Sequence, residues 1–317
     1  MTMRWNVALV YLALRLLGLL PLRALHALGA ALGGLMWRLR GRERLNVETN
    51  LALARPQLSA EARTALARAT LAETGRALAE IACIWGRDAR RALALVREIE
   101  GGALFDAALA SGRGLIVAAP HLGCWELLNY WLCSRTRLAI LYAPPRHPEF
   151  EALLVRARGA LAPEQVRAEG AGVRALYKRL AAGGVVGILP DQQPKQGEGQ
   201  FAPFFGIEAS TMVLLPRLAA RTGATVLFAF MQRLPRGAGF RLQFLPAPEG
   251  IADADLRTAC AALNRGVEAC VERAFTQYQW TYKRYAERPQ PHAHEPYWLA
   301  RHGTAPEALP EAVRRGA

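Results

Sequence analysis

The chain has 317 residues, 52% hydrophobic and 21% charged, which excludes a disordered or fibrous protein and allows a core without covalent staples. Five scattered cysteines (Cys83, Cys124, Cys133, Cys260 and Cys270) with no CxxC pair exclude a disulfide framework and a zinc ribbon, and fit a reducing compartment. Against 26 acidic side chains stand 40 basic ones, all arginine except Lys178, Lys195 and Lys283; the formal charge of +14 favours an anionic partner.

The first predicted element is Trp5–Trp37, an apolar stretch interrupted by Arg15, Pro21, Arg23 and His26. A spanning helix needs about 20 mostly apolar residues, so Trp5–Leu22 is borderline and Ala24–Trp37 is too short. The stretch runs into Arg38, Arg40, Arg42 and Arg44. That flank argues against a cleaved signal peptide and for a cytoplasmic location. The expectation is an N-terminal membrane helix, with three geometries open: a span, a helix lying among headgroups with snorkelling arginines, or a buried hairpin.

Glu43–Ala54 and Ser59–Trp85 read as helices joined at Pro56. The pattern then changes to short apolar runs bounded by Gly and Pro: Gly114–Ala119, Arg137–Tyr142, Val185–Leu189, Ala224–Met231 and Phe240–Leu245. These predict buried strands. Between them fall helical stretches at Cys124–Cys133, Pro148–Arg158, Gly172–Ala182 and Ser210–Arg221, and Asp253–Phe275 follows as a long helix. The alternation predicts an α/β fold, a central mixed sheet flanked by helices. Three regions are expected: a membrane-associated segment over 1–42, an α/β domain over 43–288, and a loose Pro- and His-rich tail over 289–317.

Among six histidines, His121 alone follows a predicted buried strand and opens a helix. Sites in open α/β sheets form beyond the carboxyl ends of strands. Glu126 lies five residues on, about 140° around a continuous helix, so it reaches His121 only if the histidine sits in the preceding turn. A carboxylate on one imidazole nitrogen leaves the other free as a general base. The alternative is a capping Glu126 and a satisfied core histidine. Cys124 could carry an acyl group or simply fill space. No GxSxG elbow, P-loop, GxGxxG or zinc-finger pattern is present, so no metal, cofactor or nucleic acid is expected. A second constellation, Asp191-Gln192-Gln193, ends another predicted strand and can face the same crevice.

Together these residues resemble the late acyltransferases of lipid A biosynthesis, within the glycerolipid acyltransferase superfamily. His121-x4-Glu126 is similar to the family's histidine–acid motif, and Asp191-Gln192-Gln193 to its second motif. Pro203-Phe-Phe-Gly206 with Ser210-Thr211 resembles the next block, and Trp280 with Arg284 the closing signature. Pro120 before the histidine, Glu126 in place of Asp and the lack of a Pro-Glu-Gly block separate the chain from phospholipid-making relatives. The resemblance implies direct transfer of an acyl chain from an acyl carrier protein thioester to a hydroxyl of a lipid A precursor. It also implies catalysis by His121 and Glu126, and substrate binding by Asp191, Gln192, Arg284 and an arginine between the two motifs. Arg158 is the candidate for that arginine, with Arg156 and Arg146 as alternatives. The implied location is the inner membrane, catalytic domain on the cytoplasmic side. Two other readings stay open: a lysophospholipid or other glycolipid acyltransferase, and a non-catalytic lipid-binding protein of the membrane surface.

Overall fold

Leu115–Ala118 and Val185–Ile188 contain no polar side chain and are buried along their whole length, as strands covered on both faces must be. In the computed structural model, which describes residues 5–142, 163–167, 170–290 and 292–316, they form the centre of a seven-stranded sheet. The strands are β1 (Val96–Glu100), β2 (Leu115–Ala118), β3 (Leu138–Tyr142), β4 (Glu164–Arg167), β5 (Val185–Ile188), β8 (Thr225–Arg233) and β9 (Phe240–Pro246). Their order is β1-β9-β8-β2-β5-β3-β4. Every neighbouring pair is parallel except β8 with β9, so the sheet is mixed, as expected. A separate hairpin joins β6 (Gly199–Phe204) to β7 (Ile207–Met212).

Side-chain alternation splits the core in two. Ile116, Ala118, Val186, Ile188, Phe228 and Phe230 face one layer, whereas Leu115, Val117, Val185, Leu227, Ala229 and Met231 face the other. The helices of these layers are α3 (Arg42–Ala54), α4 (Ala60–Trp85), α5 (Ala89–Leu93), α6 (Gly102–Ala110), α7 (Trp125–Arg135), α8 (Gly170–Ala181), α9 (Leu214–Thr222) and α10 (Leu256–Arg273). The predicted helix Pro148–Arg158 lies outside the described residues.

Two expectations are corrected. Ser210 and Thr211, read as a helix start, belong to β7. Phe205 and Gly206 take φ of 48° and 75°, the left-handed pair that a two-residue hairpin turn requires, and the chain folds back before the helix begins. The tail is not loose: α11 (Pro296–Arg301) and α12 (Leu309–Arg315) bury Tyr297, Leu309 and Val313, and the Tyr297 hydroxyl donates to Asn50 Oδ1 at 2.6 Å. The N-terminal stretch, for which a span, an interfacial helix and a buried hairpin stand open, breaks in two. It forms α1 (Trp5–Leu17) and α2 (Leu22–Leu39), bent by 119° where Pro21 interrupts the chain. Among the described residues no single helix is long and apolar enough to cross a membrane, although this bent pair passes by length and composition.

α2 has two opposed faces. Leu22, Leu25, His26, Gly29 and Gly33 are buried, and α4 presents Gly75 to the two glycines. A Cβ at Gly33 would fall on the Leu71 carbonyl oxygen. Leu28, Leu32, Leu35 and Leu39 are exposed on the other side. Gly33→Leu is therefore expected to cost at least about 1–3 kcal/mol through overpacking, read as a lower denaturant midpoint, whereas Gly34→Ala, with nothing within 4 Å of its added carbon, should raise it slightly through the better helix propensity of Ala.

Candidate active site

The register of two central strands builds the site. β2 and β5 run parallel with Ala118 opposite Ile188, and three residues beyond each partner stand His121 and Asp191. The backbones stay together past the strands, since the Ala119 N–H donates to the Ile188 carbonyl at 2.8 Å. The His121 loop is held from the other side as well. Its carbonyl accepts from the Gln279 N–H at 3.0 Å, the Gly123 N–H donates to Gln277 O at 3.1 Å, and the Cys124 N–H donates to Met231 O at 2.9 Å. Gly123 has φ of 63° and lies so close to the Met231 carbonyl that a side chain has no room.

The carboxylate on the imidazole is Asp191. His121 Nδ1 lies 2.8 Å from Asp191 Oδ1, and the His121 backbone N–H donates to Oδ2 at 2.9 Å. Asp191 is 3% exposed. Burial alone would raise its carboxyl, but the charge and hydrogen bonds of His121 outweigh burial and hold it below the usual carboxylate range. An acceptor-only carboxylate makes Nδ1 the protonated nitrogen and leaves Nε2 as the acceptor. Nε2 faces the Gln192 amide nitrogen at 3.3 Å, and the same amide donates to Gln279 Oε1 at 3.2 Å. The Trp125 ring packs against the imidazole with centroids 5.5 Å apart.

Glu126 takes a different place from that expected. It is buried on the first turn of α7, where Trp85 Nε1 donates to Oε2 at 3.4 Å. Among the described residues no hydrogen bond joins it to His121. Asp191, expected to bind substrate, has taken the orienting position. Arg284, also expected to bind substrate, is 2% exposed and does not line the cleft. It donates to Ser210 O at 2.5 Å and Thr211 Oγ1 at 3.0 Å, tying the β6–β7 hairpin to the core. Arg146, Arg156 and Arg158 lie outside the described residues. Burial pushes the Cys124 thiol well above its ordinary value, which disfavours the thiolate that covalent chemistry would need.

His121, Trp125 and Gln192 open into a cleft of about 1020 Å³. Ile140, Tyr142, Val173 and Leu214 give it apolar wall, and Lys195, Arg217 and Arg221 give it positive charge. The sequence reading missed Gln279 and Trp125. Trp125 sits inside the His121-x4-Glu126 motif and Gln279 directly before Trp280, but Glu126 and Trp280 drew the attention.

A deep, partly apolar cleft with a carboxylate-held histidine at its base suits acyl transfer to a lipid, and the comparisons with known proteins agree. Residues 1–287 match the family described as bacterial lipid A biosynthesis acyltransferase. The chain belongs to that family. It is therefore an acyltransferase. It is 28% identical over 272 residues to the lipid A biosynthesis lauroyltransferase of Escherichia coli (strain K12), covering 86% of this chain and 88% of that one. Identity to the palmitoleoyltransferase of the same strain is 29% over 274 residues, covering 85% and 87%. A shorter likeness, 31% over 153 residues and 47% of this chain against 48% of the other, links it to the phosphatidylinositol mannoside acyltransferase of Mycobacterium tuberculosis. Family membership decides against the purely lipid-binding reading.

Proposed function

We propose that the enzyme moves a fatty acyl chain from an acyl carrier protein thioester to a hydroxyl of a lipid A precursor, in one direct step. The observation that carries the chemistry is the His121–Asp191 pair at the foot of the cleft. The acceptor hydroxyl takes the place in front of Nε2 where the Gln192 amide now stands. As its oxygen attacks the thioester carbonyl, Nε2 takes its proton, and Asp191 stabilises the imidazolium that forms. The Gln192 amide is within reach to donate to the oxyanion, and an arginine of the intervening region, Arg158 first, is its charged partner. Collapse of the tetrahedral intermediate breaks the carbon–sulfur bond. The imidazolium returns its proton to the leaving thiolate, giving an ester and the free carrier thiol.

The test is transfer of a labelled acyl chain from acyl carrier protein to a lipid A precursor in detergent micelles. Wild-type and Cys124→Ala proteins should transfer within a few-fold of each other, while His121→Ala should lose about 10²–10⁴ in rate. Undiminished transfer by His121→Ala would sink the mechanism. A parallel assay with lysophosphatidate and a mannosylated phospholipid separates the runner-up, another glycolipid acyltransferase, which the shorter likeness favours.

We place the enzyme at the inner membrane with its catalytic domain on the cytoplasmic side. The exposed leucine face of α2, beside Arg38 and Arg40, supports an interfacial helix. Replacing Leu28, Leu32 and Leu35 by Gln should release much of the protein from anionic vesicles in a flotation assay while its circular dichroism stays unchanged. Unaltered flotation would leave α2 without a membrane role.

A further inference from the structure

A second cavity, about 540 Å³, lies where α2, α4 and the end of β8 meet, and the acyl-transfer step does not use it. Its wall carries Arg23 from α2, Glu73 and Arg76 from α4, Arg233 from the last position of β8, and Arg236 from the turn that follows. Below it Arg233 is fixed: it donates to Glu80 Oε2 at 2.6 Å and to Glu73 Oε2 at 2.5 Å, and His26 lies 2.7 Å from Glu80. Arg76 is bonded to Glu73. Arg23 and Arg236 have no carboxylate partner among the described residues. Four guanidinium groups thus stand against two carboxylates, an excess of two positive charges in a walled pocket.

The rim is built. The turn Pro235–Gly237 sits directly on the first turn of α2, and a Cβ on Gly237 would lie 2.6 Å from Arg23 Cγ and 2.9 Å from its backbone nitrogen. Arg236 holds φ of 56°, an uncommon state for an arginine. The Gln277 side chain clamps the other wall, accepting from the Arg233 N–H at 2.8 Å and donating to the Arg233 carbonyl at 3.0 Å. The Gln277 carbonyl accepts from Gly123, two residues past His121. Pocket and general base are therefore joined through one short segment, at the same end of the sheet.

We propose that this pocket holds a phosphomonoester on the headgroup of the lipid that the cleft acylates. The proposal rests on the acyl-transfer reading given above. Two excess charges match a dianion, and guanidinium forks suit its oxygens. Arg23, His26 and Ala27 of α2 line the pocket, so its occupant lies against the same helix that carries the exposed leucines.

The test uses the full chain with Arg23→Gln and Arg236→Gln together, two exposed positions outside the buried ion network and outside the cleft. With a phosphorylated acceptor, KM should rise about tenfold or more, with kcat within twofold. With the same acceptor after phosphatase treatment, wild type and variant should match. An equal rise for both acceptors overturns the proposal. A binding arm needs no transfer. Phosphatidylcholine vesicles carrying phosphatidate should retain wild type better than vesicles carrying phosphatidylglycerol at equal surface charge, and the variant should lose that preference. Equal wild-type retention overturns the proposal even if transfer is robust. Arginine-dependent binding of inorganic phosphate without any arginine dependence on vesicles overturns the headgroup assignment. If wild type transfers to no acceptor, the acyl-transfer reading fails on its own, and the vesicle result still decides the pocket.

Discussion

Asp191→Asn is expected to lower kcat by about 10²–10⁴ while the protein stays folded. The reason is the geometry of one imidazole. Nδ1 must carry its proton for Nε2 to accept one, and the buried Asp191 carboxylate enforces that tautomer from 2.8 Å. An asparagine can present its amide N–H to Nδ1, which flips the ring proton to Nε2 and removes the base. Its single oxygen would then be a neutral instead of an anionic acceptor for the His121 N–H, which weakens the hold on the loop. Glu126→Gln provides the contrast. It keeps the volume and a hydrogen-bonding group beside Trp85, and its effect on kcat should be at least tenfold smaller than that of Asp191→Asn. Single-turnover transfer at saturating acceptor separates the two. A larger loss for Glu126→Gln would return the orienting role to the residue that the His-x4-Glu spacing suggests.

That contrast also shows where a linear sequence stops being informative. The strands at the centre were legible because Leu115–Ala118 and Val185–Ile188 are apolar throughout and end at Pro120 and Pro190. Both His121 and Asp191 could be assigned to strand ends. Their contact, across 70 residues, depends on the parallel register of Ala118 with Ile188, and no local pattern encodes a register. Glu126 looked nearer only because it is nearer in sequence. β1 escaped notice for another reason: it is an edge strand with four of five residues exposed, so it lacks the apolar run of a buried strand. The β6–β7 hairpin was hidden because its turn uses Phe205 in a left-handed conformation instead of the Asn-Gly that signals such turns. Arg284 was misread because an arginine in a motif suggests substrate. Here its two terminal nitrogens are turned to the hairpin's buried Ser210 carbonyl and Thr211 hydroxyl and to Asn264 Oδ1.

Glu80→Gln should be strongly destabilising. Glu80 is 1% exposed and receives hydrogen bonds from His26 on α2 and the Arg233 fork on β8. One carboxylate on α4 thus ties α2 to the central sheet. Burial would raise its carboxyl, but Arg233 and then His26 outweigh burial and hold it below the usual range. Neutralising it leaves a buried guanidinium with Glu73 alone, and loss of one partner from a buried pair costs about 3–5 kcal/mol. The pH dependence follows from the lowered carboxyl. Its stabilisation is fully present above the unfolded carboxylate value of about 4.3 and is lost as pH falls through the folded value. Urea unfolding in detergent should therefore show wild type well above Glu80→Gln near neutrality, with the gap closing in acid. Glu80→Met with Arg233→Met should recover much of the loss, because removing both charges removes the desolvation cost together with the attraction. A double variant as weak as Glu80→Gln would mean that the network is held in place by more than its own charges, with Glu73 and His26 left exposed to the same penalty.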